Sequence, residues 1–341
     1  MLGQNTAMNL IPLIRASILT GFVTFLKEIG APVQRLLATT KLPTSVLQTP
    51  EALLPLKQVC EFYEQAAQTE GCESLGLLAG QKIQIEQLGA FGRLLCYSPT
   101  LHDAIQTAIH MIATFNSGDR LWLREQGNQI WLCHKFVDQI EVGRQYADQY
   151  FIMLMIQLIQ LASGYEWNPA EIHLETNKFQ GLSQIAALSN TKVRFAQEST
   201  AVSFPRSLLS LPLKNSSEYR DAPHHKDYQM LLSSAPATTF PGSVRQIIAS
   251  LLKEGYPDVQ LIAERLGVSV RSLQRQLNEA DLTYSHLIEQ VRFDQSVRLL
   301  SDPTIKLADV AAELGYNDAA NFSRAFRRWT GVSPSNFRNL R

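Results

Sequence analysis

The chain has 341 residues, more than one ordinary hydrophobic core accommodates, so two domains are expected. With 45% hydrophobic and 18% charged residues it is not a mainly disordered chain, and 31 Lys and Arg against 31 Asp and Glu leave no whole-chain charge that would point to nucleic acid. The longest apolar run, YFIMLMIQLIQLA from Tyr150 to Ala162, is interrupted by Gln157 and Gln160 and falls short of the ~18 to 20 residues a membrane span needs, so no membrane partner is expected.

The opening MLGQNTAMNLIPLIR has neither an early basic cluster nor a small-residue cleavage site, which predicts no signal peptide and a cytoplasmic location. Apolar residues recur at helical spacing from Ile11 to about Leu37, with a break near Gly30 and Pro32, and again from Leu53 to Gln68. Thr100 followed by Asp103 forms a capping box for a helix running to about Phe115. DRLWLREQGNQIWLCHKF then alternates apolar and polar on either side of Gln126-Gly127-Asn128, the pattern of a β-hairpin with Trp122, Ile130 and Leu132 on its even-numbered side. The run at Tyr150–Ala162 reads as a buried helix, with a dimer seam as the other use of such a face. EIHLET around Ile172 and TAVSFP around Val202 read as short strands. Helices followed by a few strands predict an α+β domain over residues 1–213. Residues 214–242, rich in Ser, Pro, Asp and His, read as a linker in which His224 and His225 are solvated.

The most informative feature is an internal repeat. IAERLGVSVRSLQRQL, Ile262 to Leu277, recurs as VAAELGYNDAANFSRAF, Val310 to Phe326, with Leu266-Gly267 matching Leu314-Gly315 and Arg275 matching Arg324. Each copy reads as a short apolar helix, a glycine-centred turn and a second helix, which is a helix-turn-helix. Leu261, Ile262 and Leu266, or Val310, Ala311 and Leu314, form the buried stripe of the first helix. Ser269 caps the second helix of the first copy, and Asn317 or Asp318 that of the second. Leu273 and Leu277, matched by Phe322 and Phe326, point inward, and Trp329 extends the aromatic stripe. Outward are Arg271, Ser272, Gln274 and Arg275 in one copy and Asp318, Asn321, Arg324, Arg327 and Arg328 in the other. Arg pairs bidentately with guanine and Gln or Asn with adenine, so these are donors suited to the major groove. Between the copies, Ser285 to about Leu300 reads as one connecting helix ending before Pro303. Two recognition helices fixed in this way would read adjacent grooves of one duplex, about 34 Å apart. From Pro236 onward 13 Lys and Arg face 11 Asp and Glu, so this is a local pattern and no strong net charge. Glu279 reads as solvated.

At these residues the C-terminal segment resembles the AraC/XylS family of bacterial transcription regulators. LADVAAELGYNDAANFSRAFRRWTGVSPSNFR carries that family's A-x-x-x-G-Y/F, F-x-R-x-F-K/R-K/R and G-x-S-P-x-x-F/Y-R elements in order. The resemblance, from Arg245 onward, implies seven helices in two helix-turn-helix subdomains joined by a linker helix, over residues 243–341. It also implies binding to operator DNA and contact with RNA polymerase. Carried over residue by residue, it implies base contacts from Arg271, Gln274 and Arg275, with Ser272 beside them, and from Asn321 and Arg324; Thr283, Ser285, Arg327 and Arg328 are placed for the DNA backbone. Upstream, IPLIRASILTGFVTFLKEIGAP, LGAFGRLLCYSPTLHDAIQTA and VRFAQESTAVSFP resemble the longer N-terminal domain of the subgroup that includes ornithine-utilisation regulators. That implies a homodimeric, effector-sensing domain and an activator of transcription, with the effector and its pocket unknown; Arg93, Tyr97, His102, Arg120, Trp122, Trp131 and His134 are polar or aromatic groups near its apolar elements. A ligand-independent regulator, whose N-terminal domain only dimerises or binds a protein, is the alternative.

Enzyme chemistry is not expected. The cysteines, Cys60, Cys72, Cys96 and Cys133, form no CxxC pair and no zinc-ligand spacing, and GxSxG, Walker and GxGxxG motifs are absent from the sequence. Neither a metal nor a cofactor is implied.

Overall fold

The computed structural model describes residues 10–137, 140–182, 185, 188–214 and 224–339. The chain divides into two compact units: Pro12–Pro236, and Ala237–Arg341 together with the residues up to Ile11.

The larger unit begins with strand β1 (Leu13–Arg15), then α1 (Leu19–Glu28) and α2 (Val33–Thr39), separated at Gly30 and Pro32 as the sequence predicts. Strand β2 (Leu53–Pro55) pairs antiparallel with β1, Ile14 opposite Leu54, and leads into α3 (Leu56–Glu70). The helices expected from Ile11 and from Leu53 therefore start later. Leu13, Ile14 and Arg15 are all buried, which an extended three-residue segment allows when a partner strand satisfies its backbone. Helices α4 (Leu75–Gly80) and α5 (Gly89–Cys96) follow, then α6 (Leu101–Phe115), whose Thr100 hydroxyl accepts from the Asp103 amide. Strands β3 (Asp119–Gln126) and β4 (Gln129–Phe136) form the hairpin, and α7 (Arg144–Ser163) is the long helix. Strands β5 (Glu171–His173), β6 (Lys192–Arg194) and β7 (Thr200–Pro205) complete a five-stranded sheet in the order β3-β4-β7-β5-β6.

One face of this sheet and the helices share a core that runs from Ile14 to Leu231, with α7 buried along most of its length. The hairpin register differs from the sequence expectation. Gln126 pairs with Gln129 across a Gly127-Asn128 turn, so Trp122 lies opposite Cys133 and not beside Ile130 and Leu132. With two residues in the turn, even positions of one strand meet odd positions of the next. Ile130, Leu132 and Phe136 thus join the core, whereas Trp122 packs with Trp131, Cys133 and Ala201 in a separate cluster.

Residues 214–242 are not a structureless linker in their described part. Helix α8 (His224–Ser233) belongs to the larger unit, with Leu231 fully buried in its core. Residues 215–223 lie outside the described residues, as does the side chain of His224; His225 is exposed.

The smaller unit is all helical: α9 (Phe240–Leu251), α10 (Val259–Arg265), α11 (Val270–Asn278), α12 (Tyr284–Leu300), α13 (Leu307–Glu313), α14 (Ala319–Thr330) and α15 (Pro334–Asn339). Its interior holds Val244, Ile248, Ile262, Leu273, Leu277, Leu287, Val310, Leu314, Phe322 and Phe326, all fully buried, so both repeats contribute to buried packing. Among the described residues no helix is long and apolar enough to cross a membrane.

Candidate nucleic-acid interface

Two helix-turn-helix units, α10-α11 and α13-α14, are built on the same physical plan. In the first, Ile262, Ala263 and Leu266 bury the apolar side of α10, while Leu261 is only half-buried. The Ser269 hydroxyl accepts from the Ser272 amide at 3.1 Å and starts α11. Leu273 and Leu277, four residues apart, are fully buried, which turns Arg271, Gln274 and Arg275 to solvent. Ser272 is half-buried, its hydroxyl accepting from Gln276 Nε2 at 3.5 Å. Glu279 is exposed, as expected, and pairs at the surface with Arg275 at 2.9 Å.

In the second unit Asp318 is the cap, accepting from the Asn321 amide at 2.6 Å and from Asn321 Nδ2 at 2.7 Å. Asn321 Oδ1 in turn accepts from Arg324 Nη2. Asp318, Asn321 and Arg324 therefore form a chain along one side of α14, while Phe322 and Phe326 are fully buried on the other. Arg324, Arg327 and Arg328 are exposed. Trp329, expected in the core stripe, is half-buried against the edges of Phe293 and Phe326, since its position lies at the margin of the buried arc. Gly315 is required by space as well as by its φ of 70°: a Cβ there would lie 2.5 Å from the carbonyl oxygens of Leu252 and Gly255.

The connecting helix α12 is capped by Thr283, whose hydroxyl accepts from the His286 amide at 3.3 Å, and Ser285 in its first turn is exposed. It is joined to the second unit by Arg292, a residue the sequence reading passed over. Arg292 is 8% exposed and donates to the carbonyls of Leu314 at 3.0 Å and Gly315 at 3.2 Å, the last acceptors of α13 and its turn. Its guanidinium lies 4.9 Å from the Tyr256 ring centroid and 4.4 Å from that of Tyr316. Burial pushes the Tyr316 phenol up from its ordinary range. No sequence spacing marks Arg292, because its acceptors lie more than twenty residues away. Arg328 pairs with Glu289 of α12 at 2.7 Å across a groove of about 520 Å³ that Ser285, Asn321 and Arg324 also line. The ten side chains expected to touch DNA thus fall on α11, the start of α12, and α14. Eight of them are exposed, and Ser272 and Asn321 are half-buried.

In the larger unit the polar groups noted from the sequence do not converge. Arg93 and Tyr97 both meet Asp227 of α8, Arg93 bidentately at 2.6 and 3.0 Å and the Tyr97 hydroxyl at 3.2 Å. His102 and Arg120 are exposed; Trp122 and Trp131 lie in the small cluster away from the core. His134 is fully buried, 3.1 Å from Asp119 and stacked on Phe151. Among the described residues no group of three or more His, Cys, Asp or Glu could hold a metal ion.

Residues 262–340 match a helix-turn-helix domain family, and residues 30–213 match the family described as the N-terminal arabinose-binding domain of AraC transcription regulators. The ornithine utilization regulator of Pseudomonas aeruginosa is 24% identical over 338 residues, covering 98% of each chain. The regulator VirS of Mycobacterium tuberculosis is 25% identical over 340 residues, covering 97% of this chain and 98% of VirS. The crystal structure of the regulator CdpR from Pseudomonas aeruginosa covers 92% of this chain and 98% of its own, at 20% identity and a TM-score of 0.42. With over half its length matched to the N-terminal domain of AraC regulators and its last helices matched to a helix-turn-helix domain, the chain belongs to the AraC family and is a DNA-binding transcription regulator.

Proposed function

We propose that the smaller unit reads operator DNA through α11 and α14 in two successive major grooves. Arg271, Ser272, Gln274 and Arg275 address base edges in one half of the site, and Asn321 and Arg324 in the other. Thr283, Ser285, Arg327 and Arg328 hold the phosphate backbone. The observation that carries this reading is the same in both repeats: a capped helix with one side fully buried and guanidinium and carboxamide donors on the other. The larger unit senses a small-molecule effector and forms a homodimer, and the DNA-bound regulator activates transcription through RNA polymerase; membership of the AraC family supports this part.

Selection of bound DNA with the full-length protein at fixed salt is the test. Two half-elements about one helical turn apart are expected. Arg271→Ala and Arg275→Ala should each cost about 1 to 3 kcal/mol at bases of one half-element. Arg328→Ala should weaken all sequences alike and flatten the salt dependence. Equal losses on selected and random DNA for all three variants would remove the assignment of roles.

A further inference from the structure

We infer that the cavity at the end of α4 is the small-molecule site of the larger unit, taking a compound with an apolar body and an amine or hydroxyl head that donates hydrogen bonds. The inference rests on the proposal that this unit senses an effector, and goes beyond it by naming the place and the ligand chemistry. The cavity measures about 450 Å³, within the range of roughly 300 to 1,000 Å³ typical of small-molecule sites. Two cavities inside the core, one beneath Phe91 and Phe115 and one beside Asp119, measure about 40 and 20 Å³ and have room for little more than water.

The wall is formed by the pair that interrupts the apolar run of α7. Gln157 and Gln160 are three residues apart, on one side of the helix, and both line the cavity. Packing alone would favour an aliphatic residue at each position. Their amide nitrogens are already engaged: Gln157 Nε2 donates to the Gly80 carbonyl at 2.7 Å, and Gln160 Nε2 to those of Trp167 at 2.8 Å and Tyr165 at 3.3 Å. A carboxamide donates only through nitrogen and accepts only through oxygen, so these bonds fix both orientations and leave the two Oε1 atoms as acceptors. Gly80 brings α4 close enough for this, since a Cβ there would lie 2.6 Å from Met153 Cβ. Ile83, Ile85, Met153 and Leu213 supply the apolar lining.

Charge gives the same selectivity. Lys82, the cation of the lining, is paired with Glu28 at 2.7 Å. A carboxylate ligand would face the two glutamine oxygens and an engaged lysine; an amine or alcohol would find the glutamine oxygens to bond.

The test uses the full chain and three probes of one length: hexylamine, 1-hexanol and hexanoate, titrated by calorimetry. Saturable binding of hexylamine or 1-hexanol is expected, with hexanoate at least tenfold weaker. Met153→Trp, which fills the cavity, should lower affinity at least tenfold, and so should Gln157→Leu, which keeps the proposal testable if the tryptophan variant fails to fold. No saturable binding by either donor probe, hexanoate binding as well as they do, or undiminished binding in a folded variant overturns the site. Operator occupancy measured with the same probes separates the two proposals. A change in occupancy that persists in Met153→Trp keeps sensing and overturns this site; saturable binding that leaves occupancy unchanged keeps the site and counts against sensing through it.

Discussion

Asp148 lies on α7 with its side chain 1% exposed, 3.7 Å from Arg144 Nε. His134 and Asp119 are buried nearby, and His134 stacks on Phe151 with ring centroids 3.7 Å apart. Burial is the main influence on the Asp148 carboxyl, pushing it up to about 6 against the opposing pull of His134 and Arg144. A raised folded-state pKa means that the protonated form is the one favoured by folding. The associated stability is present in full below the ordinary aspartate value and is lost as pH rises through about 6. Asp148→Asn keeps the shape and removes the buried charge. It should be more stable than wild type at pH 8 by about 2 to 3 kcal/mol, the free energy of a shift of roughly two pH units, and equal to it near pH 4. Denaturant curves at the two pH values check this; the same difference at both would mean that the charge on Asp148 is not what burial penalises.

Among the elements, the recognition helices are set by local rules and were legible for that reason. Ser269 caps α11 as its residue type and position predict, and of the two candidates Asn317 and Asp318 it is Asp318 that caps α14. Replacing Asp318 by Ala removes the acceptor for the Asn321 amide and for its side chain together, and so frees the Asn321–Arg324 pair. A loss of about 1 kcal/mol in the stability of the smaller unit is expected, with weaker discrimination at the bases that Arg324 is proposed to read. Phe322→Ala, which empties a fully buried site, should cost about 3 to 5 kcal/mol. Comparing melting and DNA selection for the two variants checks the ranking; an Asp318→Ala loss as large as that of Phe322→Ala would mean that the cap holds more than its own helix end. The features that escaped the sequence reading are those fixed by distant partners. Arg292 gains its role from carbonyls at Leu314 and Gly315, and β1 becomes a strand because β2, forty residues on, supplies its partner. The face occupied by Trp122 depended on the number of residues in one turn, which alternation alone does not give.

At the scale of the whole chain, the polar segment read as a linker is, in its described part, a helix docked on the larger unit. Asp227 on α8 takes a bidentate bond from Arg93 and one from Tyr97. At the other end of α8, Arg15, fully buried, donates to the Leu231 and Ser234 carbonyls at 3.3 and 3.2 Å, while its Nε donates to Thr114 and its Nη1 pairs with Glu51. These carbonyls lie at the C-terminal end of a short helix, where a cation is favoured. A polar helix in which Leu231 is the one fully buried side chain among the described residues has little apolar burial to hold it, so these ionic contacts decide whether it stays docked. Asp227→Ala removes one of the two anchors and leaves Arg15 in place. Arg93 is 37% exposed, so solvent already screens part of the pair and the change should be partial. Amide exchange across His224–Ser233 should quicken about three- to tenfold while exchange in α7 stays as in wild type, consistent with local opening of a weakly held element. Unchanged exchange in α8 would show that Arg15 and Leu231 suffice to hold it; a rise in α7 as well would show that the Asp227 contacts stabilise the core and not the helix alone.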